Sequence, residues 1–430
     1  MTRPVICLAL AALVVSPAAA QIDEIERAPI HYKTATADNP VADLQKRLDA
    51  GKAKLPFTDA HGYLAAVLKE LDIPQSSQVL VFSKTSLQRQ RITPKTPRAI
   101  YFNDDVYVGF CLRGDMLEVS AVDTNIGTAF YTLDQEPADR VRFQRRAESC
   151  LACHATAATG NVPGLLVRSV FTDRAGQPVL SAGTFRTTHA SPLAERWGGW
   201  YVTGTHGGQP HMGNWVVENT RDPAAEGNAA GQNVTRLADR FTVANYLTPH
   251  SDVVALMVLE HQVEGHNRIA RAMIADRQSR YYETELNKSL GEPAGRKWDS
   301  ATTRIKNAGD RLAEYLLFGE ETKLTAAVAG TSDFAKEFAA RGPFDKKGRT
   351  LREFDLKTRL FKYPCSYLVY SKTFAQLPAD VKACTLLRLH EVLTGNDQSP
   401  AYAHLTAGDR AAILEILRDT LPDLPAYWGK

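Results

Sequence analysis

The sequence predicts an α+β protein: an N-terminal mixed region with antiparallel strands, then a region of hairpins, then an all-helical C-terminal region. Three observations predict it. Between residues 79 and 133 apolar residues alternate with period two and are broken by turn residues, which is the pattern of half-buried strands. Residues 146–248 are rich in Gly, aromatics and turn signals, and show no helical period. From Pro249 onward apolar residues recur at three-to-four spacing, the period of amphipathic helices. A chain of 430 residues, 44% hydrophobic and 23% charged, can bury one large core or two to three smaller ones.

In chain order, the first element reads as a leader. Arg3 is followed by an apolar run over residues 5–15 and by Ser16-Pro17-Ala18-Ala19-Ala20 before Gln21. A basic start, a short apolar stretch and a small-residue site are what an export channel and its peptidase read, whereas a spanning helix needs about twenty apolar residues. Cleavage is expected after Ala20, making 1–20 a signal peptide; the alternative is an uncleaved anchor. No later segment is apolar enough to span a bilayer. The mature chain is therefore expected to be periplasmic or otherwise exported, with no integral membrane segment.

Residues 21–145 form the mixed region. Residues 41–48 and 61–71 have helical spacing, with Asp59 available as an N-cap for the second. Strands are expected over 79–82, 99–102, 107–112, 117–122 and 128–133, separated by turns such as Asn103-Asp104-Asp105 and Arg113-Gly114-Asp115, as in an antiparallel meander. In residues 146–248, 165–172 and 178–182 suit a hairpin turning through Asp173-Arg174-Ala175-Gly176, and 197–205 suits strand and tight turn. Residues 249–430 supply helices over 252–276, 296–318, 381–393 and 409–420, punctuated by Gly342-Pro343, Pro364 and Pro378. No internal repeat is present.

The 51 basic and 48 acidic residues are interspersed, as over 341–353, and loss of Arg3 with the leader lowers the net charge of +3 by one. A nucleic-acid binder concentrates Lys and Arg on one face or in one run. That class is excluded, and no strongly charged partner is implied.

The chemistry sits in Cys150-Leu151-Ala152-Cys153-His154, a C-x-x-C-H sequence. Two residues between the thiols let both sulfurs reach the vinyl groups of one haem, and the adjacent imidazole then meets the iron from the same side. One covalent haem c, held by Cys150 and Cys153 with His154 on the iron, is the expected cofactor. Export agrees with this, because c-type thioethers are made outside the cytoplasm. Two rivals share the same residues. A thioredoxin-like dithiol would want the pair at a helix start after a strand in a βαβ unit, but the charged residues 140–148 read as leading out of a turn. Structural zinc would need a second Cys or His pair at ligand spacing, and no second C-x-x-C exists.

The segments Pro97-Arg98-Ala99-Ile100-Tyr101-Phe102-Asn103-Asp104-Asp105, C-x-x-C-H at 150–154, Val167-Arg168-Ser169-Val170-Phe171-Thr172-Asp173, WGGWYVTGTHG at 197–207, His211-Met212-Gly213-Asn214 and RLFKYPCSYLVYS at 359–371 together resemble a bacterial family described as cytochrome c domain-containing proteins. The resemblance spans nearly the whole mature chain. It implies haem c binding, export and electron transfer, names no substrate, and carries over directly only for Cys150, Cys153 and His154.

The sixth iron position separates carrier from enzyme: a Met closes it at high potential, a second His closes it at lower potential, and an empty site permits small-molecule chemistry. Met212, in the Gly-rich loop 207–213, is the preferred ligand, against a packing role beside aromatics such as Trp215. His206 and His211 are alternatives that could instead pin the loop. His261 is another, sharing a helix face with Val254, Met257 and Val258, although a histidine so placed is more often a satisfied core residue. Trp197, Trp200 and Tyr201 suit packing around a flat cofactor. Cys365 and Cys384 suit a disulfide in an oxidising compartment, and Cys111 a small buried thiol. Two functions follow: an electron-transfer protein docking with an unidentified redox partner protein, or a monohaem oxidoreductase with an open or displaceable sixth ligand, acting on an unknown small substrate. The chain's length, well above that of a bare carrier domain, favours the second, but electron transfer is the expected function and the oxidoreductase its alternative. A single C-x-x-C-H argues against a dihaem peroxidase plan.

Overall fold

The computed structural model describes residues 24–429, so the leader expected over residues 1–20 lies outside the described residues. The class is α+β: a seven-stranded antiparallel sheet in the N-terminal half and helices in the C-terminal half.

The N-terminal region opens with α1 (Pro40–Asp49) and α2 (Leu64–Glu70). Asn39 caps α1 through the Ala42 N–H, satisfying a donor the helix leaves orphaned. Helix α2 begins later than its spacing suggests. Tyr63 takes the N-cap position without a side-chain bond, and Asp59 lies instead in the turn between Thr58 and Gly62.

The meander follows as β1 (Val79–Val81), β2 (Arg98–Phe102), β3 (Val106–Phe110), β4 (Met116–Asp123), β5 (Gly127–Asp134) and β6 (Gln144–Arg146), each paired antiparallel with its predecessor. Five of these strands match the alternation in the sequence. The sixth is a correction, because residues 144–146 were expected to leave a turn. After α3 (Glu148–His154) come the two-residue strands β7 (Arg168–Ser169) and β8 (Phe185–Arg186), which pair with each other, and β9 (Trp200–Tyr201), which joins the main sheet beside β1. The expected turn at Asp173 is present, with Thr172 facing Pro178, but regular pairing is confined to β7 and β8.

Strand alternation gives the main sheet two faces. One carries Leu117, Val119, Ala121, Ala129, Tyr131 and Leu133, all buried with Val41, Leu44, Leu64, Val67 and Leu68 of α1 and α2 in one hydrophobic core. The opposite face carries Arg98, Tyr107, Gly109, Glu118, Phe130 and Thr132 and looks toward the C-terminal half.

That half is built on α4 (Val253–Leu290), capped by Asp252 through the N–H groups of Val254 and Ala255 and ended by Gly291 in the left-handed conformation. Against it pack α5 (Asp299–Leu316), α6 (Phe334–Ala339), α7 (Lys372–Ala375) and α8 (Ala379–Leu393), and α9 (Ala407–Thr420) packs on α8. Gln262 of α4 donates to the Tyr107 hydroxyl of β3 at 2.8 Å, tying the two halves together. Among the described residues, no helix is long and apolar enough to cross a membrane.

Candidate haem site

The C-x-x-C-H residues form α3, the short helix that leaves β6. Cys150, Cys153 and His154 stand at i, i+3 and i+4, which places them on one side of a helix. Leu151 and Ala155 occupy the neighbouring side and are fully buried. The helix is therefore anchored from beneath. Cys153 is exposed and Cys150 half-buried, both as free thiols.

His154 is held at several points. Its Nδ1 lies 2.9 Å from the Gly164 carbonyl oxygen, which can only accept, so Nδ1 carries the proton. The Gly164 N–H returns a bond to the His154 carbonyl at 2.8 Å. Phe130 of β5 packs against the imidazole with centroids 4.9 Å apart. Nε2 is left with its lone pair, and no hydrogen bond to it is formed among the described residues. This is the tautomer a metal-ligating histidine adopts, its other nitrogen donating to a backbone carbonyl. Burial lowers the pKa of His154, with the Gly164 carbonyl opposing, so the ring is neutral. These residues fit a covalently attached haem.

The sheet face beside α3 is charged. Arg98 and Glu118 form a largely buried ion pair at 2.8 Å, and the Arg98 guanidinium crosses Gly109, where any Cβ would collide with it. Burial raises the Cys150 pKa, and Glu118 adds to the rise. That direction works against the dithiol alternative, which depends on a thiolate stabilised at neutral pH, although β6 does supply the strand before the helix that the alternative asked for.

The other candidate residues lie apart from His154 in their bonding. Met212 is buried and its Sδ accepts a hydrogen bond from Ser169 Oγ at 3.6 Å; among the described residues no hydrogen bond or ring contact joins it to His154. His206 Nε2 accepts from the Asn233 N–H and His211 Nδ1 from the Gly213 N–H, both at 2.9 Å. Each ring therefore bears its proton on the remaining nitrogen, which is buried without a partner among the described residues. A protonated nitrogen has no lone pair for iron.

His261 uses both nitrogens. His189, which sequence reasoning passed over, places its Nε2 3.1 Å from the Gly319 carbonyl and its Nδ1 2.9 Å from His261 Nδ1. The first contact makes Nε2 the donor, so His189 Nδ1 accepts and His261 Nδ1 donates. His261 Nε2 then accepts from Ser366 Oγ at 2.8 Å. Tyr315 and Phe318 stack on this pair.

The expected Cys365–Cys384 disulfide is corrected: both are free thiols. Cys365 is fully buried just ahead of Ser366, whose N–H bonds the Leu316 carbonyl, whereas Cys384 lies on α8 against Gly309 of α5. Cys111 is a buried thiol, its pKa raised to about 11 chiefly by burial. Trp197, Trp200 and Tyr201 are buried; Trp197 donates to Glu260 Oε2 and Trp200 to the Arg168 carbonyl.

Sequence reasoning missed Gly164, Phe130 and the Arg98–Glu118 pair. Only the Pro163-Gly164 dipeptide gave a signal, that of a turn. In comparison with known proteins, no family model, no curated protein and no solved structure matches the chain.

Proposed function

We propose that this chain is an exported monohaem c-type cytochrome in which Cys150 and Cys153 carry the thioethers, His154 Nε2 ligates the iron, and electrons pass to and from a partner protein. The observation that carries this reading is His154 itself: its Nδ1 proton is committed to the Gly164 carbonyl and its Nε2 is left as a free electron-pair donor, next to the exposed thiol of Cys153 and near the half-buried thiol of Cys150. The leader-like N-terminus and the resemblance to cytochrome c domain-containing proteins point the same way.

When bound, haem c supplies a one-electron ferric/ferrous couple. The protein holds the proton at Nδ1 through Gly164, which makes Nε2 the stronger donor and favours the ferric state. Phe130 restrains the ring. Cys153 is exposed, so a haem attached there would be within reach of a partner docking over a small transient contact. A second reading, an oxidoreductase with an open or displaceable sixth ligand, is favoured by the Met212 sulfur being engaged by Ser169.

The experiment is a spectrum of protein purified from the periplasmic fraction. Acid-acetone should leave haem on the unmutated chain and extract all of it from the Cys150→Ala/Cys153→Ala variant; pigment retained by the variant would overturn the attachment. If Met212 ligates, the ferric form shows a weak long-wavelength sulfur band that Met212→Ala abolishes, with a lower potential. Carbon monoxide binding by the unmutated ferrous protein selects the oxidoreductase reading instead.

A further inference from the structure

Two adjacent residues of the segment after the C-x-x-C-H helix are each held at both backbone groups. Gly164 is locked to His154: its carbonyl accepts from Nδ1 at 2.9 Å and its N–H donates to the His154 carbonyl at 2.8 Å. Leu165 is locked to α4. Its N–H donates to Asn267 Oδ1 at 2.9 Å, and its carbonyl accepts from Asn267 Nδ2 at 2.8 Å. Rotating the Asn267 amide would set donor against donor and acceptor against acceptor, so the side chain has one orientation.

Asn267 is itself fixed. It is fully buried, and its Nδ2 also reaches Glu264 Oε2 at 3.5 Å. Glu264 pairs with Arg268 at 2.5 Å and with Arg186 of β8. The approach is close enough that a Cβ on Gly164 would overlap Asn267 Oδ1 and sit 3.3 Å from Thr159 Cβ. The peptide between Gly164 and Leu165 is thus clamped, and the carbonyl aimed at His154 belongs to that peptide.

We infer that Asn267 is a positioning residue for His154: by gripping Leu165 at both backbone groups it fixes the Gly164 carbonyl, and so keeps the His154 proton on Nδ1 and Nε2 free for iron. It acts through the backbone and touches no cofactor. The inference rests on the haem reading for its purpose, though not for its geometry. It assigns to the C-terminal half of the chain a part in setting the iron's ligand, since α4 is the rigid element from which the clamp is built.

The test is made on the full mature chain labelled with nitrogen-15 histidine, the His154 signals being assigned by their loss in His154→Gln. Before haem is attached, nitrogen-15 NMR should find the unmutated His154 in the Nδ1–H form. Asn267→Leu, of similar volume but without either hydrogen bond, should give a mixture with the Nε2–H form. Where Asn267→Leu fails to fold, Asn267→Asp keeps the shape and the bond from Leu165 N–H and loses only the donor; the same mixture is expected. An Nε2–H ring in the unmutated chain, or an unchanged Nδ1–H ring in both variants, overturns the inference. In haem-loaded protein Asn267→Leu should raise the reduction potential, because a weaker Nδ1–H bond makes a poorer ligand of Nε2; an unchanged potential also overturns it. Failure of the exported, unmutated chain to take up haem would defeat the cytochrome reading while leaving the tautomer measurement to decide on the clamp.

Discussion

Gly164 shows how little freedom the site allows a single residue. It is placed by contact on both sides, with His154 bonded to its N–H and carbonyl and Asn267 filling the space where a side chain would go. Gly164→Ala should therefore lower stability by about 1–3 kcal/mol, the usual penalty for overpacking a closed position. Gly295→Ala is the control, since nothing lies within 4 Å of a Cβ there; its change should stay within about 0.5 kcal/mol. Urea denaturation of the two variants reads the contrast, and an equal effect would remove close packing as the reason for glycine at 164. The motif residues were legible because C-x-x-C-H is a local word. Gly164 and Asn267 were not, because their meaning depends on partners brought together by folding, Asn267 lying far along the chain from the peptide it holds.

Helix α4 carries the same lesson over a whole element. Its apolar pattern ends near Asp276, where the sequence placed the helix end, yet the helix runs to Leu290. Beyond Asp276 the buried positions at four-residue spacing are Ser279, Glu283 and Asn287. The last two serve Trp298: Glu283 accepts its backbone N–H and Asn287 its indole N–H, both at 2.7 Å. A buried stripe made of polar residues is invisible to hydrophobic periodicity. Earlier in the helix the same holds for Glu260, His261, Gln262, Glu264, His266 and Asn267, all buried. Burial pushes His189 down to about 3 and His261 well below the usual range, so both are neutral when folded. An unfolded histidine titrates near 6.5. The unfolded chain thus binds more protons as pH falls below that value, and the stabilisation, complete above it, is lost on acidification. Each such group contributes about 1.4 kcal/mol per pH unit. Burial raises Glu260 and Glu321 to about 7, which acts in the opposite direction, so the comparison must be between variants. From pH 6 to pH 5 the unmutated protein should lose roughly 2 to 3 kcal/mol more than His189→Gln/His261→Gln. Urea midpoints at the two pH values give this difference, and equal slopes would mean that the pair is not neutral in the fold.

Across the whole molecule, the three stretches distinguished by pattern share one structure. Strand β9 completes the main sheet beside β1, with Leu80 opposite Tyr201. On the far side of the 218–227 loop, Gln232 accepts from the His211 N–H at 3.1 Å and Asn228 donates to the Gly213 carbonyl at 2.9 Å. The α+β class and most strands and long helices were legible because periodicity is a property of single segments; the joining of β9 to β1 was not, because it depends on how a Gly-rich, aromatic stretch packs. The loop itself is exposed from Glu218 to Asp222 and again from Ala224 to Gly227. Exposed loop tips are where proteases cut first. Trypsin under native conditions should therefore nick at Arg221 before Arg352, which is buried and bonds Asp104 at 3.1 Å. Because both sides of the cut remain hydrogen-bonded to one another, the nicked protein should elute as one particle on size exclusion and fall into two pieces only in denaturant. Separation of the fragments without denaturant would show that these bonds do not hold the two sides together.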